Sequence, residues 1–148
     1  MTNEFNIEIE YRHVPRLNPG SDESIAYLDE HGYAVIKNAL SGEEAAKTLD
    51  LLWDYLEELG TGIDRNNPST WEDDKWPTCA HGGIMPSYGI GHSEAQWFMR
   101  SIPNVKKAFA KIWDTDDLLT SFDGVSLWRP WNINPEWKTE NGQSWFHI

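Results

Sequence analysis

Tyr33-Ala34-Val35-Ile36-Lys37, joined through Asn38-Ala39-Leu40 to Ser41-Gly42-Glu43-Glu44 and a run that lasts to Gly60, is the stretch that decides the fold. The first five residues read as a buried strand, since Tyr, Val and Ile favour a pleated, packed surface. Ser41 is placed to cap the first free amides of a helix, and Glu44, three residues on, reaches back to the Ser41 amide; together they form a capping box. Ala45, Leu49, Leu52, Trp53, Leu56 and Leu59 recur at three- and four-residue spacing. That spacing gives one wide apolar stripe, and Gly60 ends the helix.

Working outward, Phe5, Ile7, Ile9 and Tyr11 alternate with Asn6, Glu8, Glu10 and Arg12, the period-two pattern of a half-buried strand that ends by Pro15. After the turn Asn18-Pro19-Gly20, a short helix from Asp22 to His31 turns Ile25 and Leu28 inward and stops at Gly32. Residues 61–91 are rich in Gly, Pro, Asn, Asp and Ser without a sustained period, and read as a long loop of the kind that forms lids or binding segments. A helix beginning near Ser93 carries Trp97 and Phe98. A second, opened by Pro103, offers Val105, Phe109, Ile112 and Trp113 as its inner face. Leu118 to Phe122 and Val125 to Trp128 read as two strands, or one bent at Asp123-Gly124, and Trp145-Phe146-His147-Ile148 as another.

Helices first and sheet last is an α+β order, and the sheet has barely begun where the sequence stops. The expectation is one partial domain over residues 1–148, the front part of something longer, with an edge strand in a small α+β fold as the alternative. At 148 residues one domain is the ceiling. Twelve Lys and Arg against twenty-four Asp and Glu give a net charge of -12, which repels phosphate backbones and anionic lipid headgroups; nucleic-acid and membrane partners are not expected. No signal-peptide pattern opens the sequence, so a cytoplasmic location is expected. One cysteine, Cys79, is too little sulfur for a disulfide framework or a multi-thiolate zinc site. Nine tryptophans, five of them from Trp113 onward, suit a large-residue core, a pocket wall or an interface.

Of five histidines, His13 and His31 fall at the ends of elements and His92 at a helix entry. His81 lies two residues from Cys79, a pair that would need two further ligands to hold a metal. His147 differs, because an imidazole among Trp145, Phe146 and Ile148 needs a partner or a metal.

The run from Gly32 to Ser41 with its long helix, then Phe109-Ala110-Lys111-Ile112-Trp113 with Asp116-Asp117-Leu118-Leu119-Thr120-Ser121-Phe122-Asp123-Gly124, then Trp145-Phe146-His147-Ile148, resembles the phytanoyl-CoA dioxygenase family of iron- and 2-oxoglutarate-dependent oxygenases. The resemblance covers nearly the whole chain. It implies N-terminal helices plus the first strands of a double-stranded β-helix, the cupin-like jelly-roll, with the barrel incomplete in this chain. His147 matches the first metal ligand of the family's His-x-Asp motif. The aspartate, the distal histidine and the basic residue that pairs with 2-oxoglutarate lie beyond Ile148, so Fe(II) and 2-oxoglutarate are expected for the full-length protein and no tight binding for these residues alone. Ser126 and Trp128 would share one face of a strand feeding the barrel and could line the co-substrate pocket. The implied chemistry is hydroxylation of a small organic substrate. Two alternatives are an acidic, Trp-rich, non-catalytic binding module derived from that fold, and completion of the barrel by another chain or a second copy.

Overall fold

The computed structural model describes residues 13–79 and 83–138. The expected strand over 5–11, His81 and the strand around His147 lie outside the described residues. Among the described residues, four helices and two small sheets make a mixed α+β architecture: β1 (Arg16–Leu17), α1 (Asp22–His31), β2 (Val35–Ile36), α2 (Gly42–Glu58), β3 (Ile84–Met85), α3 (Glu94–Ser101), α4 (Pro103–Trp113) and β4 (Val125–Ser126).

The caps form as the sequence dictates. Ser21 accepts from the Ser24 amide at the start of α1, and Gly32, at φ 76°, closes it in the left-handed conformation that costs glycine little. At α2 both arms of the capping box are present: the Ser41 hydroxyl accepts from the Glu44 amide at 3.1 Å, and the Glu44 carboxylate accepts from the Ser41 amide at 2.7 Å. Ser93 caps α3. Pro103 sits in the first turn of α4, where its missing N–H removes no bond.

β1 and β2 pair in parallel, Arg16 with Val35 and Leu17 with Ile36. The strand expected over 33–37 thus shrinks to two residues, and Tyr33 and Val35 are exposed rather than buried, because only β1 flanks β2 among the described residues. β3 and β4 pair antiparallel, Ile84 with Ser126 and Met85 with Val125. Residues 61–91 hold short 3₁₀ turns at Pro68–Thr70 and Ile90–His92 as well as β3.

Among the described residues, two clusters make the core. Leu56 of α2 packs with Met85, Ile90 and Leu127. Ile63, Trp71 and Trp137 form the second, and Trp53 and Trp76 pack against both. α2 lies against α3. The apolar stripe of α2 is covered only in part: Leu56 is buried, Leu52, Trp53 and Leu59 are half-buried, and Ala45 and Leu49 are exposed. The face expected to be internal on α4 is also open, with Phe109, Ile112 and Trp113 exposed. Leu118 to Phe122 is not a strand, since no described segment pairs with it; Leu119 is 99% exposed. No helix among the described residues is long and apolar enough to cross a membrane.

Candidate functional site

The two residues singled out for the co-substrate, Ser126 and Trp128, lie at β4 and just beyond it. Leu127, between them, is buried and its amide donates to the Gly83 carbonyl at 2.6 Å, which extends the β3–β4 ladder by one bond. Alternation then turns Ser126 and Trp128 to the opposite, open face, and both are exposed.

Three glycines let the chain close around this strand. A β-carbon on Gly83 would fall 2.5 to 2.7 Å from ring atoms of Trp128, one on Gly91 2.7 Å from the Phe122 carbonyl oxygen, and one on Gly124 2.5 Å from the Met85 carbonyl oxygen. Real side chains do not survive such approaches, so each contact requires the missing side chain. Gln96, buried on α3, donates its side-chain amide to the Gly124 carbonyl at 3.3 Å and ties the bend before β4 to that helix. His92 stacks on Phe122 with ring centroids 4.2 Å apart.

Arg129 follows the open face and is largely buried. Its guanidinium lies 5.5 Å from the Trp76 ring and 5.0 Å from Trp137, donates to the Trp71 carbonyl at 2.9 Å, and donates to Asp73 at 2.6 Å. The cation is therefore engaged by two indoles, a carbonyl and a carboxylate. Nearby, burial pushes the Cys79 thiol above its ordinary value, while hydrogen bonding with Trp76 and the charge of Arg129 oppose the rise. The thiol donates to the Pro77 carbonyl at 3.2 Å.

The structure brings Ser126 and Trp128 to one face, while His81 and His147 lie outside the described residues. His31 packs against Tyr27 and Tyr33 at the end of α1. Among the described residues no group of three His, Cys, Asp or Glu side chains could hold a metal ion, so these residues do not by themselves fit an iron centre. Arg129 and the three glycines were not singled out from sequence. The signal that could have found Arg129 was a lone cation inside Trp128-Arg129-Pro130-Trp131; for the glycines, no signal short of the fold exists.

No protein-family model matches the chain, and no solved structure gives a significant match. Two curated proteins do. The chain is 33% identical over 144 residues to Ava biosynthesis cluster protein O of Aspergillus versicolor, which covers 89% of this chain and 45% of that protein. It is 32% identical over 120 residues to a Dictyostelium discoideum protein provisionally named a phytanoyl-CoA dioxygenase, covering 78% of this chain and 34% of that protein. The chain thus spans less than half the length of either relative. It belongs to a phytanoyl-CoA dioxygenase-like family.

Proposed function

We propose that the chain forms the front part of an Fe(II)- and 2-oxoglutarate-dependent oxygenase that hydroxylates a small organic substrate, with the remaining iron ligands drawn from polypeptide outside these 148 residues. In this reading His147 supplies one imidazole to the iron, and the strands counted here open a double-stranded β-helix. The bound metal would supply the oxidising chemistry of a facial triad with open coordination positions. Ser126 and Trp128 bind and orient the co-substrate, the hydroxyl by donating to a carboxylate and the indole by walling the pocket. The observation that supports this most is their common open face on a strand whose Leu127 is buried on the other side and donates its amide to the Gly83 carbonyl. A non-catalytic binding module remains the second reading, favoured by the exposure of Trp113, Trp128 and Trp131.

Titration of the chain with Co(II) in place of Fe(II), followed by visible absorption, separates the two. Weak binding that His147→Ala abolishes supports the oxygenase reading. Binding equal in His147→Ala overturns the assignment of that residue. The chain alone should not convert 2-oxoglutarate to succinate; protein-dependent succinate release without a partner would show that the ligand set had been misjudged.

A further inference from the structure

Trp76, Trp53, Trp71 and Trp137 form a connected row of indoles through the core. Trp53 and Trp71 are the tightest pair, with ring centroids 5.1 Å apart and planes tilted by 33°. Trp76 lies 6.4 Å from Trp53, and Trp137 lies 6.4 Å from Trp71. All three spacings fall in the ordinary range of aromatic contact, so packing explains the row. Charge is spread over it unevenly. The Arg129 guanidinium stands 5.5 Å from Trp76 and 5.0 Å from Trp137, the two ends of the row. Its carboxylate partner, Asp73, has a side chain 88% exposed against 15% for Arg129, so water screens the acid more than the cation. In the middle of the row, Trp71 instead donates its indole N–H to the Asp64 carbonyl at 2.9 Å.

Indole is electron-rich and gives up one electron more readily than phenylalanine or a peptide group. A cation beside the ring opposes that loss, and a carbonyl oxygen on the N–H favours it, because the charge left on the ring is positive. We propose that the row is a one-electron sink: an outer-sphere one-electron oxidant that takes an electron from any of the four indoles leaves the positive hole shared between Trp53 and Trp71. Arg129 makes the two ends the costlier places for the hole, so a hole that arrives on Trp76 or Trp137 moves inward. The step transfers one electron. The oxidant is reduced by one, no bond between heavy atoms forms or breaks, and the Trp71 N–H proton stays in its hydrogen bond, since a peptide carbonyl is too weak a base to take it. The hole is held on one buried and one half-buried ring until a reductant returns the electron. This property does not depend on whether the chain serves an iron centre, because any such oxidant reveals it.

Flash-generated tris(bipyridine)ruthenium(III), followed by freeze-quench electron paramagnetic resonance of the chain, tests this. The unaltered chain should give a tryptophan radical that survives dissolved ascorbate longer than the radical of a short tryptophan peptide, because Trp71 is only 9% exposed. Trp53→Phe and Trp71→Phe, which keep a ring in place, should each lose most of the radical yield. Trp113→Phe and Trp131→Phe should keep it, although those indoles are 69% and 57% exposed and meet the oxidant more often. Trp76→Phe should keep the yield while Arg129 is present and lose part of it in an Arg129→Gln background, where the ends of the row become available to the hole. A radical reduced by ascorbate as fast as that of the peptide overturns the proposal, and this readout on the unaltered chain decides should a core variant fail to fold. A yield that falls in Trp113→Phe or Trp131→Phe and holds in both core variants overturns it as well. No effect of Trp76→Phe in the Arg129→Gln background overturns the part assigned to Arg129.

Discussion

The indole of Trp128 lies so close over the backbone of Gly83 that a β-carbon there would sit 2.5 Å from the ring. Gly83→Ala should therefore push the indole off and strain the β3–β4 pair, at a cost of about 1–3 kcal/mol for a forced overpacking. In a Trp128→Ala background the same change should cost much less, since the clash partner is gone. Urea unfolding of the four proteins of this cycle measures the coupling, and additive costs would show that the contact does not bear on stability.

The capping box at α2 makes a simpler prediction. Removing the Ser41 hydroxyl leaves the Glu44 amide, now bonded at 3.1 Å, to water. Ser41→Ala should lower stability by about 1 kcal/mol, seen as a lower melting midpoint in far-UV circular dichroism. An unchanged midpoint would place the effective start of the helix elsewhere.

That box shows what sequence can reveal. α1 ends at Gly32, α2 begins at Ser41 and α4 opens at Pro103 as read from the sequence, because caps act within three or four residues and need no distant partner. What lay beyond local reach was burial. Phe109, Ile112 and Trp113 have the spacing of a core face yet stand open, and Leu118 to Phe122 has strand composition without a ladder, since both depend on what packs against them. The candidate site was legible to the same depth. Alternation alone put Ser126 and Trp128 on one side of β4. The glycine approaches and the Arg129 cage join residues up to 58 apart in sequence, a distance no local pattern spans.

Arg129 should behave as a fastener between the strand end and the tryptophan cluster. Arg129→Ala removes two cation–π contacts and the bonds to the Trp71 carbonyl and Asp73, a loss of roughly 2 kcal/mol. Arg129→Lys keeps the charge but not the planar fork that serves the carbonyl and the carboxylate at once, so it should recover only part of that. Denaturant midpoints together with near-ultraviolet circular dichroism of the indoles check both changes. Full recovery by lysine would mean that charge alone matters.

The Arg65 guanidinium reaches across to α2, donating to Glu57 at 2.7 Å and also pairing with Asp54. Hydrogen bonds from Arg65 to Glu57 hold that carboxyl below its usual value of 4.5. A carboxyl lowered in the folded state contributes stability that is present in full above its unfolded value and is lost as pH falls through the folded one. Both groups are solvent-accessible, so the effect should be modest and should shrink in high salt. Glu57→Gln cannot titrate. The melting temperatures of wild type and variant should therefore differ by a constant amount above about pH 5.5 and converge as the pH is lowered past about 4. A gap that stays constant down to about pH 3 would mean that the ion pair contributes nothing and that Glu57 stabilises α2 in some other way.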